Sequence, residues 1–195
     1  MAPPEPTTQA TGVPFLEGRR ITLRPLVASD ADGAYPQWLN DPEICAGNSH
    51  HVQPYSRDQA RTYIAQSQDL LRDLVLAIVV TQDDAHIGNI SLSGIHPIYR
   101  KAEFSILVGA RSHWGQGYGE EAGRLLLHHG FTALNLNRIE CGTFAHNVAM
   151  QRLAAALGMR REGVRRQAAF KDGGYVDVFE YGVLRAEFFD REAEQ

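Results

Sequence analysis

Cysteine is scarce in this chain. Cys45 and Cys141 are the two cysteines among 195 residues, too few for a disulfide framework, and nothing shows that they pair; a reducing, cytoplasmic setting is expected. No apolar run approaches the roughly 20 residues that span a bilayer, so no membrane partner is expected. The opening, MAPPEPTTQATGVP, lacks both the basic and the apolar region of a secretory leader. Basic residues are not in excess. Nineteen Lys and Arg stand against 23 Asp and Glu, giving a net charge of −4 and a pI near 6.0. That balance carries no electrostatic footprint for nucleic acid, and none is expected as a partner. There is no His-x-x-x-His and no Cys-x-x-Cys. The adjacent His128 and His129 would point in different directions on a helix, so no metal site is expected. There is no internal repeat and no interior linker.

What is present is the balance of an ordinary soluble protein, with 44% hydrophobic and 22% charged residues. A chain of this length fits one domain, with a radius of gyration of roughly 16 Å. It can bury roughly 70% of its unfolded surface without metal or disulfide. The expected division is a Pro/Thr-rich N-terminal tail over 1–14, one domain over 15–189 and a short tail over 190–195.

Along the domain, Arg20–Leu26 alternates apolar and basic residues and reads as a strand. Ser29 and Asp30 offer caps for a short helix through Trp38 and Leu39. Ser56 opens a second helix whose stripe includes Ala60, Tyr63, Ile64, Leu70 and Leu71. Leu74–Thr81, His86–Ile95 and Lys101–Val108 read as a three-stranded meander. Glu120–Leu134 reads as a helix, Arg138–Phe144 as a strand and Asn147–Leu157 as a helix ended by Gly158. Two last strands flank the turn Lys171-Asp172-Gly173-Gly174. The order implies a single α/β or α+β domain with a mixed sheet.

The segment Ile106–Ala122 carries the chemistry. A strand runs into a loop with glycines at 115, 117 and 119, and the loop runs into a helix. Closely spaced glycines let backbone approach a ligand and turn N–H groups toward one point. The helix start adds unpaired N–H groups and the positive end of its dipole. Together they suit a pyrophosphate, although a tight turn is the plainer alternative. The dinucleotide fingerprint fails at Glu120, where its last glycine would fall, and the Gly-Lys-Ser/Thr of a P-loop is absent.

The run Trp114-Gly115-Gln116-Gly117-Tyr118-Gly119 resembles the signature of the GNAT superfamily of acyl-CoA-dependent N-acetyltransferases, with Trp114 where Gln or Arg is usual. The Trp-Gly-x-Gly-Tyr form followed by Glu-Ala resembles the branch containing ribosomal-protein N-terminal acetyltransferases and spermidine N-acetyltransferases. The likeness continues through Ala145-His146-Asn147, Leu157-Gly158-Met159, Glu162-Gly163 and the closing Asp172-Gly173, Tyr175, Asp177 and Tyr181. It implies a mixed, mostly antiparallel central sheet of about seven strands flanked by about four helices. It implies acetyl-CoA as co-substrate and an amine as acceptor. Its site would include Ile106, Leu107 and Val108, whose backbone would pair with the pantetheine arm like an added strand. Trp114, Gly115, Gln116, Gly117, Tyr118, Gly119 and Glu120 would form the pyrophosphate loop. Asn147 would hydrogen-bond the arm, with an ordinary helix cap as the alternative. Members of this family are commonly dimers or larger, which leaves a homo-oligomer open.

Attack on a thioester needs a neutral amine, so a base is required. Glu103, beside the cofactor strand, is the candidate, its pKa raised by partial burial. An ion pair with Arg100 or Lys101, or a plain solvent-facing position, is the alternative. The resemblance places the acid at a Tyr or a Ser, but those positions are Ala154 and Met150; Tyr118, Tyr175 and Cys141 are the remaining donors. The acceptor pocket is expected from Trp38–His51, the helix after Ser56 and the closing hairpin. The acceptor is either a small amine (a polyamine, an amino sugar or an aminated antibiotic) or a protein N-terminal amine. A non-catalytic acyl-CoA sensor is the alternative function.

Overall fold

The computed structural model describes residues 12–67 and 72–193. Most of the expected N-terminal tail, Leu70 and Leu71 of the second helix's stripe, and residues 194–195 lie outside the described residues. In chain order come β1 (Leu16–Glu17), β2 (Ile21–Pro25), a 3-10 turn over Ala28–Asp32, α1 (Tyr35–Trp38), α2 (Arg57–Gln66), β3 (Leu74–Val80), β4 (His86–His96) and β5 (Lys101–Val108). After a second 3-10 turn at Arg111–His113 follow α3 (Tyr118–Thr132), β6 (Arg138–Phe144), α4 (Val148–Ala156), β7 (Arg160–Lys171), β8 (Gly174–Leu184) and α5 (Arg185–Ala193). The eight strands form one sheet in the order β1-β2-β3-β4-β5-β6-β8-β7. Every neighbouring pair is antiparallel except β5 and β6.

β3 is buried along its whole length because both faces of the sheet are covered there. Leu74, Leu76, Ile78 and Val80 face the larger core, with Leu126, Phe131 and Phe188. Val75, Ala77 and Val79 face a second core with Tyr35, Trp38, Leu39, Ala60 and Ile64. Alternation of side chains across the pleat assigns one set to each face. The second core stops near β4. Beyond it the same face carries Lys101, Glu103, Ser105, Arg138, Glu140 and Glu180, left open to solvent or half-buried.

Two local expectations change. The first 3-10 turn is capped from Val27, not from Ser29 or Asp30. Asp30 is drawn inside instead: its carboxylate takes the Arg24 guanidinium in two 2.8 Å bonds and accepts the Val27 amide at 2.8 Å. At the other end, α5 runs past the expected boundary at 189. Phe188 is buried against the main core, and Arg191 Nη1 donates to the Ala155 carbonyl at 2.9 Å.

Candidate active site

β5 and β6 are paired only at Lys101–Arg138, Ala102–Ile139 and Glu103–Glu140. Beyond Glu103 they part. β6 stays paired with β8 through Phe144, and β5 stays paired with β4 through Val108. A wedge therefore opens between two parallel strands in the middle of the sheet. The Gly109 amide donates to the Ile87 carbonyl on the β4 side at 2.9 Å. Strand alternation then turns the Leu107 amide toward β4 and the Ile106 and Val108 amides into the wedge. Of the three backbone positions named from sequence, two face it.

The loop at the wedge mouth is held open by its own backbone. Gly115 and Gly117 have φ of +71° and +82°, where a side chain is strained. Gly117 caps α3, whose ladder begins with the Glu121 amide on the Gly117 carbonyl at 3.1 Å. The amides of Tyr118, Gly119 and Glu120 thus project from the helix start, where the dipole favours an anion. Trp114, which departs from the usual signature, braces the loop: its indole Nε1 donates to the Val108 carbonyl at 2.7 Å. Gln116 Nε2 bonds the Ser112 carbonyl at 2.6 Å.

Arg20, unsuspected from sequence, is the second brace. It bonds the Gln116 carbonyl at 2.9 Å and Glu121 Oε2 at 2.8 Å, and its guanidinium lies 4.7 Å from the Tyr118 ring centre. Burial pushes the Glu121 carboxyl up, but hydrogen bonds from the Arg20 amide and guanidinium and the Arg19 amide outweigh it and hold it below its usual range. Glu120 is paired with Arg124 at 3.0 Å. Both acidic side chains of the first turn are therefore compensated by Arg, and the cradle stays receptive to an anion.

Asn147 caps α4, accepting from the Met150 amide at 3.0 Å, and its Nδ2 donates to the Gly47 carbonyl at 3.0 Å. The neighbouring His146 ring meets the Ala46 carbonyl at 2.9 Å, and Lys171 Nζ donates to the His50 carbonyl at 3.0 Å. From the cofactor side, Arg111 forms ion pairs with Asp41 and Glu43. The loop over residues 41–51, part of the Trp38–His51 stretch expected to shape the acceptor pocket, is thus tied to α4, the closing hairpin and the glycine loop. A groove of about 250 Å³ lies along it, lined by Leu39, Ser49–Tyr55 and Gln59.

Glu103 stands at the last β5–β6 pair, on the face away from the main core. It is exposed, which corrects the burial expected for it, because the second core reaches β5 only at Leu107 and stops short of Glu103. The alternative ion pair is not formed either: Lys101 bonds Glu140 at 2.7 Å and Arg100 bonds Asn135. Cys141 lies on the opposite, core face, its Sγ 3.5 Å from Met159 Sδ. Burial pushes its thiol up to about 12, with the Glu103 and Glu180 charges adding. Ala154 is buried in the core, and Tyr175 sits exposed at the hairpin tip against Phe170. Among the described residues no His, Cys, Asp and Glu group could hold a metal ion, and no helix is long and apolar enough to cross a membrane.

The acetyltransferase (GNAT) domain model matches residues 20–160, a span that includes the wedge, the glycine loop and α4. The chain belongs to the GNAT acetyltransferase family. It is 32% identical over 173 residues to the uncharacterized N-acetyltransferase p20 of Bacillus licheniformis, covering 87% of this chain and 95% of that one. It is 31% identical over 105 residues to the spermidine N(1)-acetyltransferase of Vibrio cholerae, covering 54% and 60%. The fold matches that of the Vibrio cholerae spermidine N-acetyltransferase in complex with CoA and spermine, with a TM-score of 0.79 and 24% identity over 87% and 98% of the two chains. This GNAT protein is an N-acetyltransferase that uses acetyl-CoA and an amine. Its own geometry fits that co-substrate: a wedge with strand amides turned into it, a loop kept clear by two left-handed glycines and a helix start with compensated acids. Thr143, on β6 beside the wedge, also buries a hydroxyl with no partner among the described residues.

Proposed function

We propose that this enzyme acetylates a small primary amine by direct transfer, with Glu103 as the base. The observation that carries the reading is the placement of Glu103. Its carboxylate lies where β5 and β6 part, free of any ion pair among the described residues, on the open face that a second substrate can reach. Nearby, Glu140 is bound by Lys101 and Arg138, Glu162 by Arg138 and Glu180 by Arg165. Glu103 thus offers charge and proton-accepting capacity where its neighbours are already neutralised. That suits one amino group and gives a polycation little to bind, so an amino sugar or a similar monoamine fits better than a long polyamine.

In this reading the amides of Gln116 to Glu120 hold the pyrophosphate, and the Ile106 and Val108 amides meet the pantetheine arm. Acetyl-CoA supplies the activated acetyl thioester. Glu103 takes a proton from the incoming ammonium, directly or through one water. A wedge amide beside it donates to the oxygen that gains charge during attack. The loop over residues 41–51, pinned by Asn147, His146, Lys171 and Arg111, orients the acceptor. Proximity supplies much of the rate, because a thiolate leaves readily without a dedicated acid.

Initial rates with both substrates varied test direct transfer. Intersecting double-reciprocal lines are expected, since both substrates must be bound together. Parallel lines, with a labelled acetyl group retained on the protein when no amine is added, would overturn it.

A further inference from the structure

We propose that the Thr143 hydroxyl is a hydrogen-bonding partner for the pantetheine arm, an inference that rests on the cofactor placement above. Thr143 is 4% exposed, and its Oγ1 has no hydrogen-bond partner among the described residues. A buried hydroxyl without a partner is a standing cost to the fold. Packing does not ask for it. Thr143 lies on the core face of β6 with Ile139 and Cys141, opposite Phe179 on β8, where Val would fill the same space without a polar atom.

The position along the wedge explains the hydroxyl. Extending the Glu103–Glu140 register would set Thr143 opposite Ile106, but the ladder has ended three residues earlier. At about 3.3 Å per residue, Thr143 stands about 10 Å beyond the last pair. That is past the reacting end and short of the phosphate cradle, at the level of the arm's two amide groups. A Thr hydroxyl can donate to an amide carbonyl or accept from an amide N–H, and the Ile106 amide enters the wedge from β5 at the same level along the strands. Thr143 is a binding and positioning residue that touches no reacting atom.

Thr143→Val is the test, read by calorimetry with two probes: CoA, and adenosine 3′,5′-bisphosphate, which lacks the arm. The expected result is CoA binding about 5- to 10-fold weaker, the size of one neutral hydrogen bond, with nucleotide binding unchanged. The ligand-free variant should melt a few degrees higher, because the orphaned hydroxyl is gone. Thr143→Ser should keep CoA affinity within about twofold, and Thr143→Ala should repeat the CoA-selective loss on a less stable background. Unchanged CoA affinity in Thr143→Val, or equal weakening of both probes, overturns the inference. Wild-type protein that fails to bind CoA would overturn the cofactor placement itself.

Discussion

Gly117→Val places a branched side chain at the cap of α3, and its consequences divide into two measurable parts. The first is backbone strain. Gly117 holds φ +82° and ψ 2°, the left-handed region, which costs an ordinary residue about 1–2 kcal/mol. A Cβ there would come within 3.3 Å of Arg20 Nη2, the movable end of a long side chain, so steric conflict in the free protein is minor. A loss of about 1–2 kcal/mol lowers Tm by roughly 2–8 °C for a chain of this size. The second part appears only with ligand. The valine methyl groups stand over the amides of Tyr118, Gly119 and Glu120. Losing two charge-assisted bonds of about 1.5 kcal/mol each weakens CoA about 100-fold. Calorimetry with CoA and a melting curve of the free variant separate the two. A variant that melts lower as expected but binds CoA like the wild type would refute the cradle, since strain alone would then account for everything seen.

Glu103→Gln should slow turnover about 100-fold at neutral pH and far less at high pH, where the amine is already neutral. CoA affinity should stay unchanged, and a pH–rate profile of wild-type shape would remove Glu103 from the chemistry. Asn147→Ala loses the α4 cap and the Gly47 bond, together about 2 kcal/mol, and should lower Tm by roughly 4–8 °C while raising the acceptor KM more than the acetyl-CoA KM. Equal rises would mean that the tether does not orient the acceptor loop. Burial pushes the Asp30 carboxyl up, but Arg24, His86 and the Val27 amide outweigh it and hold it far below its ordinary value. Its contribution to stability is present above the unfolded carboxylate pKa near 4 and is lost as pH falls below that. Asp30→Asn leaves the Arg24 charge buried and should cost about 3–5 kcal/mol at neutral pH. The difference in Tm from wild type should narrow as acid protonates Asp30, and a constant difference would contradict the pairing.

What the sequence revealed was local. The glycine loop was legible because left-handed φ and a helix start are needs of a few adjacent residues, and the Asn147 cap for the same reason. The β-branched run of β3 and the Asp172-Gly173 hairpin carried their own signals. The braces were not legible: Arg20 meets Glu121 across 101 positions, and Asn147 meets Gly47 across 100. The exposure of Glu103 depends on how far α1 and α2 extend over the sheet, which no pattern within β5 records. The role of Trp114 became clear only when its indole was seen on the Val108 carbonyl. α5 was missed because the pair Phe188–Phe189 reads as readily as the end of a strand.

The most direct measurement is acetyl-CoA-dependent release of free thiol over three pools: polyamines, amino sugars with aminoglycosides, and short peptides with free N-termini. Turnover is expected in the amino-sugar pool, strongly lowered by Gly117→Val at limiting acetyl-CoA and restored toward high pH in Glu103→Gln. Acetyl-CoA that binds tightly yet releases no thiol with any amine in the three pools would contradict the account of a small-amine acetyltransferase.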